Sequence, residues 1–465
     1  MALKIYNSLS ASKEEFKPLN KGEIKFYQCG PTVYWTQHIG NLRAMTMADL
    51  ANRTFQYLGY KVNFVRNYTD VGHLTSDADE GEDKIEASAR KEKLSPAEIA
   101  EKYIKIFEQD TTDLNILEPN TKPKATENID EILDMVKILL DKNFAYQTDL
   151  AIYFDVSKAK NYNRLSGQIL EEQKSKTEDP NKKYPADFAL WFFKRGKHSN
   201  ALQFWSSPWG DGFPGWHIEC SAIVRKFLGK TIDIHMGGIE HIPVHHTNEI
   251  AQSEVVNEAP FVNYWLHNKH LLVDNKKMAK SEGTGFTLAE IKEKGFSPLS
   301  LRYFFLQAHY RSKQNFTWTA LEAAEEGLKH LYNQIRELGE KKGEINQEYK
   351  NKFIEALSDD FNVPKSLAIL QELLKSNLSD DSRLATILDF DKVLGLKISD
   401  VFKKEKIPEE ILKLAEERLK MRQEKKWAEA DKLRQEIKTL GYEVEDIEEG
   451  YEIKKVYQCY RRTYF

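Results

Sequence analysis

Apolar positions in the first 70 residues alternate between strand-like and helix-like spacing. Residues 22–28 alternate between apolar and polar and predict a strand, which Cys-Gly-Pro at 29–31 ends. Residues 40–58 carry apolar side chains at helical spacing, and residues 61–67 predict a second strand. A strand–helix–strand opening is typical of an α/β fold in which helices cover a parallel sheet.

The middle of the chain has a weaker pattern. Helical spacing returns over 96–114 and 127–140, and short strands are predicted over 231–236 and 270–273. Apart from the helix predicted over 127–140, residues 117–215 show no sustained period, so we expect irregular structure there. The polar segments 71–83 and 173–184 predict loops.

Beyond Thr317 the pattern becomes that of amphipathic helices. Apolar residues at helical spacing predict helices over 320–338, 351–357, 364–374 and 382–394, with one or two more within 407–440. The charges of this last segment nearly balance, which favours a solvated helical face at least as much as an RNA contact. The net charge of the whole chain is −4, so a nucleic-acid site has to be a local patch.

Composition narrows the class of protein. The chain has 465 residues, which corresponds to about three domains or one large modular enzyme. No run of about 18 apolar residues occurs, and the first residues lack the apolar core of a signal peptide, so we expect no membrane partner. Three cysteines exclude a disulfide scaffold and favour a reducing compartment, so we expect the cytoplasm.

Two short segments carry candidate phosphate chemistry. Residues 29–41 join the first strand to the first helix, and a helix N-terminus after such a turn suits phosphate. His38 at this turn can donate to a phosphoryl oxygen, and Gly40 permits close backbone approach, although a lone histidine is more often structural. Residues 276–281 (KKMAKS) can clamp a triphosphate, or they can be an ordinary solvated lysine cluster.

A third set of residues has the composition of a metal site. His245 and Glu249 are four residues apart in a segment with helical character, so they share one face. Cys29 and Cys220 supply thiols. Cysteine, histidine and glutamate ligands suit zinc, and inert buried thiols are the alternative.

These motifs together resemble the class I aminoacyl-tRNA synthetases. Residues 38–41 (HIGN) resemble the "HIGH" signature of that class, and residues 277–281 (KMAKS) resemble "KMSKS". Four further segments are similar to the cysteinyl-tRNA synthetase family in particular: 29–34, 205–209, 215–221 and 245–252. The similarity extends into the helical end of the chain, at residues 359–364 and 427–431.

The resemblance implies a role for each matching residue. The implied zinc ligands are Cys29, Cys220, His245 and Glu249, and the zinc would bind the substrate thiolate and reject serine. The implied amino-acid contacts are Cys29, Gly30, Thr69, Trp216 and His235. The implied contacts to ATP, which comes with Mg²⁺, are Thr32, His38, Gly40, Asn41, Lys277, Lys280 and Ser281. Of these, His38, Asn41, Lys277 and Lys280 are the implied catalytic residues.

The resemblance also implies an architecture and partners. A Rossmann-like catalytic domain would occupy 1–118 and 212–262, with a connective insertion at 119–211. A KMSKS-loop region at 263–316, an all-α helical bundle at 317–400 and an anticodon-binding domain at 401–465 would follow. The expected partners are ATP, L-cysteine and both the acceptor end and the anticodon of tRNA-Cys. We expect a monomer.

Several positions depart from the family pattern. Asn41 replaces the last histidine of "HIGH", Ala279 replaces a serine of "KMSKS", and Trp35 replaces an aspartate. His241 adds a histidine near the candidate metal ligands without an assigned role. The segment 71–83 is longer than usual, and we expect the tail 456–465 to be disordered.

Three other functions remain open from the sequence. They are a ligase of the same fold that joins cysteine to an amino sugar, a nucleotidyltransferase with a His-x-Gly-His site, and a catalytically inactive RNA-binding paralogue.

Overall fold

A computed structural model describes most of the chain, in two compact units. The described residues are 2–72, 74–76, 80–168, 179–278, 285–403, 408–440, 442–447 and 450–455. The first unit comprises Met1–Leu288 and Pro298–Ile398, and the second comprises Ala289–Ser297 and Ser399–Phe465. No helix within the described ranges is both long and apolar enough to cross a membrane.

The helices include all those predicted from periodicity. They are α1 (Ile39–Tyr57), α2 (Lys84–Glu92), α3 (Pro96–Asp113), α4 (Ile129–Asp141), α5 (Trp216–Phe227), α6 (His245–Asn257), α7 (Leu288–Glu293), α8 (Pro298–Leu306), α9 (Trp318–Glu337), α10 (Gln347–Ser358), α11 (Val363–Leu374), α12 (Asp380–Leu394), α13 (Glu409–Gln423) and α14 (Trp427–Thr439). Helices α2, α5, α7 and α8 were not predicted.

The strands are mostly short. They are β1 (Lys4–Asn7), β2 (Ser12–Glu15), β3 (Glu23–Gln28), β4 (Lys61–Arg66), β5 (Leu74–Ser76), β6 (Glu80–Asp83), β7 (Ala145–Gln147), β8 (Ala151–Phe154), β9 (Phe188–Phe193), β10 (Gly212–Pro214), β11 (Ile232–Gly238), β12 (Val262–Asn268), β13 (Leu271–Val273), β14 (Lys276–Lys277), β15 (Gln314–Phe316), β16 (Tyr442–Ile447) and β17 (Gly450–Lys455).

A parallel sheet forms the centre of the first unit, as the opening strand–helix–strand pattern predicts. Its strand order is β12-β11-β3-β4, and all three pairings are parallel. Helix α1 connects β3 to β4, and its buried residues include Leu42, Ala48 and Phe55. Because the strands are parallel, their carboxyl ends meet at one edge of the sheet, which is where ligands bind in open α/β folds.

The irregular structure expected over 117–215 is wrong. Besides the predicted helix α4, this segment contributes a second, antiparallel sheet with the order β10-β9-β8-β7. All six residues of β9 (FALWFF) are buried, so the strand has no polar face and no alternation that would reveal it. Its pairing partners on β8 and β10 are also distant in sequence.

The loop expected over 71–83 is likewise partly wrong. Strands β5 and β6 pair as an antiparallel hairpin, and residues 77–79 between them lie outside the described ranges. The sequence did not predict this pairing, because the segment is acidic and has no apolar alternation. Backbone hydrogen bonds hold together the two strands, which are three and four residues long.

The second unit has its own apolar core. Its buried residues come from α13, α14 and the hairpin of β16 and β17: Ile411, Ala415, Ile437, Tyr442 and Val444. The tail 456–465, predicted to be disordered, lies outside the described ranges, as does Cys459.

Candidate active site

The carboxyl ends of β3 and β11 and the helices α5 and α6 bring together the predicted metal ligands. Cys29 directly follows β3, Cys220 lies on α5, and His245 and Glu249 lie one turn apart on α6. One ligand atom from each of these four residues lies within 4.8 Å of those of the other three, and all four residues are buried. The sequence predicted the set, and the fold brings it together from three separate elements.

Short contacts connect the cluster. Glu249 Oε1 lies 3.0 Å from His245 Nε2 and 3.7 Å from Cys29 Sγ, while Glu249 Oε2 lies 2.9 Å from His235 Nε2. On its far side, His245 Nδ1 lies 2.9 Å from His217 Nδ1. These contacts orient the imidazole of His245 towards the cluster, as outer partners do for metal-binding histidines.

The cluster holds buried charge when it holds no metal. A hydrogen bond with Cys29 lowers the pKa of the Cys220 thiol to about 6, against the effect of burial. Burial raises the pKa of Glu249, but the nearby His235 and His245 outweigh it and the net shift is downward. Burial lowers the pKa of His245, but Glu249 and Cys220 raise it to about 10. The result is a buried thiolate and a buried carboxylate that share one imidazolium.

This donor set fits a divalent thiophilic cation. Two cysteine sulfurs, one imidazole and one carboxylate form a four-coordinate ligand set of the kind that zinc prefers. A cation at the centre of the four ligand atoms would replace the imidazolium proton as the neutralising charge.

A second set of donors overlaps the first. Cys29 and Glu249 also lie within 4.8 Å of ligand atoms of His235 and His246. His246 continues into a chain, because its Nδ1 lies 2.7 Å from His267 Nε2, and His267 Nδ1 lies 2.8 Å from Ser8 Oγ. Sequence reasoning missed His217, His246 and His267, and the adjacent pair His245–His246 was the only available signal.

Cys29, Cys220 and His245 of the cluster line a cavity of about 410 Å³. The cavity brings together most of the other predicted contacts, and its lining includes Cys29, Gly30, Thr32, His38, Asn41, Thr69, Trp216, Cys220 and His245. The indole of Trp216 lies over the His245 ring with a centroid distance of 4.2 Å. His241 also lines the cavity, 5.4 Å from His245 between ring centroids.

Two predicted contacts lie behind the cavity wall. His235 and Glu249 are fully buried. His235 stacks on Trp265 at 4.6 Å between ring centroids and bonds Glu249. In this arrangement His235 supports a metal ligand, and its role as a direct amino-acid contact stays a prediction.

Close backbone packing shapes the wall between the cluster and α1. The N–H of Gly30 donates to Asn67 Oδ1 at 2.9 Å, and a Cβ at this position would lie 1.6 Å from the Asn67 carbonyl oxygen. Thr32 and Thr69 form a bridge in which Val33 N donates to Thr69 O at 3.1 Å. Only glycine fits at residue 30, because any side chain would collide with backbone.

The N-terminus of α1 also lines the cavity, through His38 and Asn41. His38 caps the helix, and its Nδ1 accepts a hydrogen bond from Asn41 N at 3.1 Å. The Asn41 side chain donates to Gln37 Oε1. A Cβ on Gly40 would lie 3.0 Å from His38 Cε1, so the glycine lets the imidazole fold against the helix end. The positive end of the helix dipole therefore faces the cavity.

The lysine motif is described only in part. Lys276 and Lys277 form β14, paired with β13, and Met278 lines the cavity. Lys280 and Ser281 lie outside the described ranges, as does the Lys277 side chain. The backbone N–H of Ile39 donates to Phe286 O at 2.8 Å, so the chain returns to α1 just after this motif. The predicted ATP contacts of all three residues stay predictions.

Comparison with known proteins identifies the class first. The family profile for the class I (C) tRNA synthetase catalytic domain matches residues 15–326. Two solved structures share the fold at low identity. An Agrobacterium radiobacter LeuRS–tRNA–LeuAMS complex has a TM-score of 0.61 and 11% identity, covering 83% of this chain and 85% of that one. Methionyl-tRNA synthetase from Mycobacterium tuberculosis has a TM-score of 0.55 and 12% identity, covering 82% and 91%.

Full-length relatives then identify the family. A cysteine–tRNA ligase from Treponema denticola is 42% identical over 96% of this chain and 98% of its own length. Cysteine–tRNA ligase 1 from Burkholderia lata is 41% identical over 97% and 96%. The profile of the cysteinyl-tRNA ligase anticodon-binding domain matches residues 404–453. The chain belongs to the cysteinyl-tRNA synthetase family, a family of ligases.

Proposed function

We propose that this protein charges tRNA-Cys with L-cysteine in two steps. The cysteine carboxylate attacks the α-phosphorus of ATP, which forms cysteinyl-adenylate and releases pyrophosphate. The terminal adenosine of the tRNA then takes the cysteinyl group and releases AMP. One observation carries the proposal: a single cavity is lined both by Cys29, Cys220 and His245 of the four-residue cluster and by His38 and Asn41 at the N-terminus of α1. The first suits a thiol and the second suits phosphate.

We assign a zinc ion to the four-residue cluster. When bound, zinc supplies a Lewis acid that prefers a thiolate over a hydroxyl, so the site would reject serine. Trp216 packs against the ring of His245, which helps to hold this ligand in place. Within this assignment, His235 orients Glu249 from behind.

The chain's own residues would position ATP, supplied with Mg²⁺, at the N-terminus of α1. His38 and the first N–H groups of α1 lie where an anionic phosphate is stabilised by the helix dipole. Asn41 is held by Gln37 and presents an amide rather than a cation. Lys277, Lys280 and Ser281 complete the proposed ATP contacts. Catalysis would rest on positioning and charge stabilisation.

The remaining assignments are part of the same proposal. The segment matched by the anticodon-binding profile would contact the tRNA anticodon, and this segment argues against a ligase that joins cysteine to an amino sugar. The domain boundaries given under Sequence analysis, a monomeric state and a cytoplasmic location are also proposed.

The function is tested by two assays on the purified protein. Cysteine-dependent ATP–pyrophosphate exchange should occur without tRNA, and serine should support it at least about 100-fold less well in kcat/KM. Incorporation of labelled cysteine should require a tRNA-Cys transcript. Exchange without transfer to tRNA would favour an amino-sugar ligase, and absence of both activities would contradict the proposal.

A further inference from the structure

The carboxylate of Glu249 faces two different imidazoles. Its Oε1 lies 3.0 Å from His245 Nε2, and its Oε2 lies 2.9 Å from His235 Nε2. One oxygen therefore belongs to the four-residue cluster to which we assign zinc, and the other faces a histidine outside that cluster. A carboxylate placed in this way can bridge two cations, with one oxygen on each.

The Cys29 thiol also lies between two groups of donors. Its Sγ belongs to the four-residue cluster, and it lies 3.4 Å from His246 Nε2 and 4.0 Å from His235 Nε2. We define the second set as Cys29, His235, His246 and Glu249, and one donor atom from each lies within 4.8 Å of those of the other three. The second set shares a thiol and a carboxylate with the four-residue cluster and adds two imidazoles.

The donor spacing of the second set fits a four-coordinate metal ion. Zinc binds sulfur at about 2.3 Å and imidazole nitrogen at about 2.0–2.1 Å, so donors around one tetrahedral ion lie about 3.3–3.8 Å apart. The separations within the second set are 2.9–4.0 Å, so small side-chain shifts would place the four donors around one ion. Thiolate, imidazole and carboxylate are ligands that zinc and cobalt(II) accept.

An outer chain of hydrogen bonds orients His246. Its Nδ1 lies 2.7 Å from His267 Nε2, and His267 Nδ1 lies 2.8 Å from Ser8 Oγ. Metal-binding histidines are held in this way through the ring nitrogen that does not bind the metal. His245 has the matching contact, from its Nδ1 to His217 Nδ1 at 2.9 Å. Both sets therefore contain a histidine with a second histidine behind it.

A glycine leaves room for His246 beside the cavity. Gly237, near the carboxyl end of β11, lines the cavity. A Cβ at this position would lie 2.6 Å from His246 Cε1 and 2.8 Å from His241 Nδ1, so any side chain would displace both rings. Cys29 lines the same cavity, which gives an ion a route to the second set.

We propose that the second set binds a second divalent, thiophilic cation, bridged to the first by Cys29 Sγ and the Glu249 carboxylate. The inference rests on the zinc site proposed above, because the two sites share these ligands. The second ion replaces the hydrogen bond between His235 and Glu249 and lies about 3.5–4 Å from the first, as in other two-metal sites. It binds more weakly, since it has one thiolate where the first ion has two, so it fills only in excess metal.

Cobalt(II) titration of the full-length chain, after zinc is removed with a chelator, tests this inference. Cysteine and ATP are left out, because both bind metal ions. The wild type should bind two cobalt ions per chain, and the thiolate charge-transfer absorption should rise with each, because Cys29 binds both. At two equivalents the electron paramagnetic resonance signal per cobalt should fall, because ions joined by one sulfur couple magnetically.

Three variants locate the second ion. His246→Ala should bind one cobalt ion, with the absorption of the first equivalent unchanged. His267→Ala removes no donor of either set, and it should weaken the second ion roughly 10- to 100-fold, which is the usual effect of losing an outer partner. His330→Ala is the matched control, since His330 is an exposed histidine on α9, and it should bind both ions as the wild type does.

The outcomes separate this inference from the proposed zinc site. If the wild type binds one cobalt ion only, or gives the full signal of two isolated ions, no bridged second ion forms and the inference is wrong. If folded His246→Ala binds two ions or none, the second set is not a separate position, which also contradicts the inference. If the wild type binds no cobalt at all, the zinc site of the proposed function fails as well.

Discussion

At the scale of single residues, Cys220 is the most informative side chain of the site. Its sulfur belongs to the metal cluster and lines the cavity, so it would serve both the metal and the substrate. We expect Cys220→Ser to lose most bound zinc and to raise KM for cysteine at least about 100-fold in pyrophosphate exchange. Zinc content by elemental analysis and exchange kinetics on the same preparation check both effects.

The third cysteine supplies the control for this change. Cys459→Ser removes a thiol of the same chemistry near the end of the sequence, outside the proposed cluster. It should keep one zinc per chain and wild-type exchange. Wild-type zinc content in Cys220→Ser would show that the metal assignment is wrong, because the proposed site uses the Cys220 sulfur as one of its four ligands.

Residue types and local spacing predicted the metal cluster, but its supporting contacts could not be predicted. His245 and Glu249 share a helix face four residues apart, a relation that sequence carries directly. The contacts from His217 to His245, and from His267 to His246, join separate elements. They depend on how α5, α6 and β12 pack together, and the spacing of residues along the chain does not predict that packing.

At the scale of elements, helix α1 is anchored near its capped N-terminus by one buried arginine, Arg43. The Arg43 side chain donates to Gln314 Oε1 and to the carbonyl oxygens of Lys269, His309 and Ser312 at 2.6–3.3 Å. Burial lowers the pKa of Arg43 to about 10, so the guanidinium is protonated at neutral pH. The contacts tie α1 to β15 through Gln314 and to the backbone segments that precede β13 and β15.

We expect Arg43→Met to lower the free energy of unfolding by about 3–5 kcal/mol. The change leaves several buried carbonyl oxygens without a hydrogen-bond donor. Arg43→Met should also slow adenylate formation more than it raises KM for cysteine, because Arg43 does not contact the proposed metal ligands. Guanidinium chloride unfolding and pyrophosphate exchange measure these two effects.

An exposed arginine gives the comparison for Arg43. Arg336→Met, on the surface of α9, removes a bond to Asn333 and should change stability by less than about 0.5 kcal/mol. If Arg43→Met lowers the free energy of unfolding by less than about 1 kcal/mol, the prediction is wrong, because the buried carbonyl oxygens would then have other hydrogen-bond donors.

Element prediction succeeded where amphipathic period was strong and failed where burial was complete. Helices α9 to α12 and strands β3 and β4 show one polar and one apolar face, and their predicted positions agree with the structure to within a few residues. Strand β9 and helices α5 and α8 are buried on most sides, which removes the contrast that periodicity needs. The hairpin of β16 and β17 was missed because half of the residues in its strands are charged.

At the scale of the whole molecule, the residues proposed for adenylate chemistry lie in the first unit, and the second unit has its own core. All described residues of the metal cluster and of the α1 terminus belong to the first unit. The second unit is stabilised by its small apolar core and by Arg418, which is 2% exposed and donates twice to the Asp446 carboxylate at 2.9 and 3.0 Å. Arg422 lies 3.2 Å from the same carboxylate.

This separation predicts a variant that loses tRNA affinity without losing adenylate chemistry. Asp446→Asn leaves buried Arg418 without its anionic partner and should destabilise the second unit by about 1–3 kcal/mol. The hydrogen bond from Arg418 lowers the pKa of Asp446, so the carboxylate stabilises the fold above its unfolded pKa of about 3.9 and loses this effect as pH falls below it. Wild-type unfolding of this unit should therefore shift to lower temperature below about pH 4, and the variant should lack that shift.

Calorimetry across pH and paired kinetic assays test the separation. In Asp446→Asn, pyrophosphate exchange should equal the wild type while KM for tRNA-Cys rises, because only the unit matched by the anticodon-binding profile is weakened. Lys413→Gln on α13 removes a pair between two exposed side chains in the same unit and should change neither quantity, since such pairs contribute little. Equal loss of exchange and of tRNA charging in Asp446→Asn would show that the two units act as one cooperative body, and the division of labour proposed for them would then be wrong.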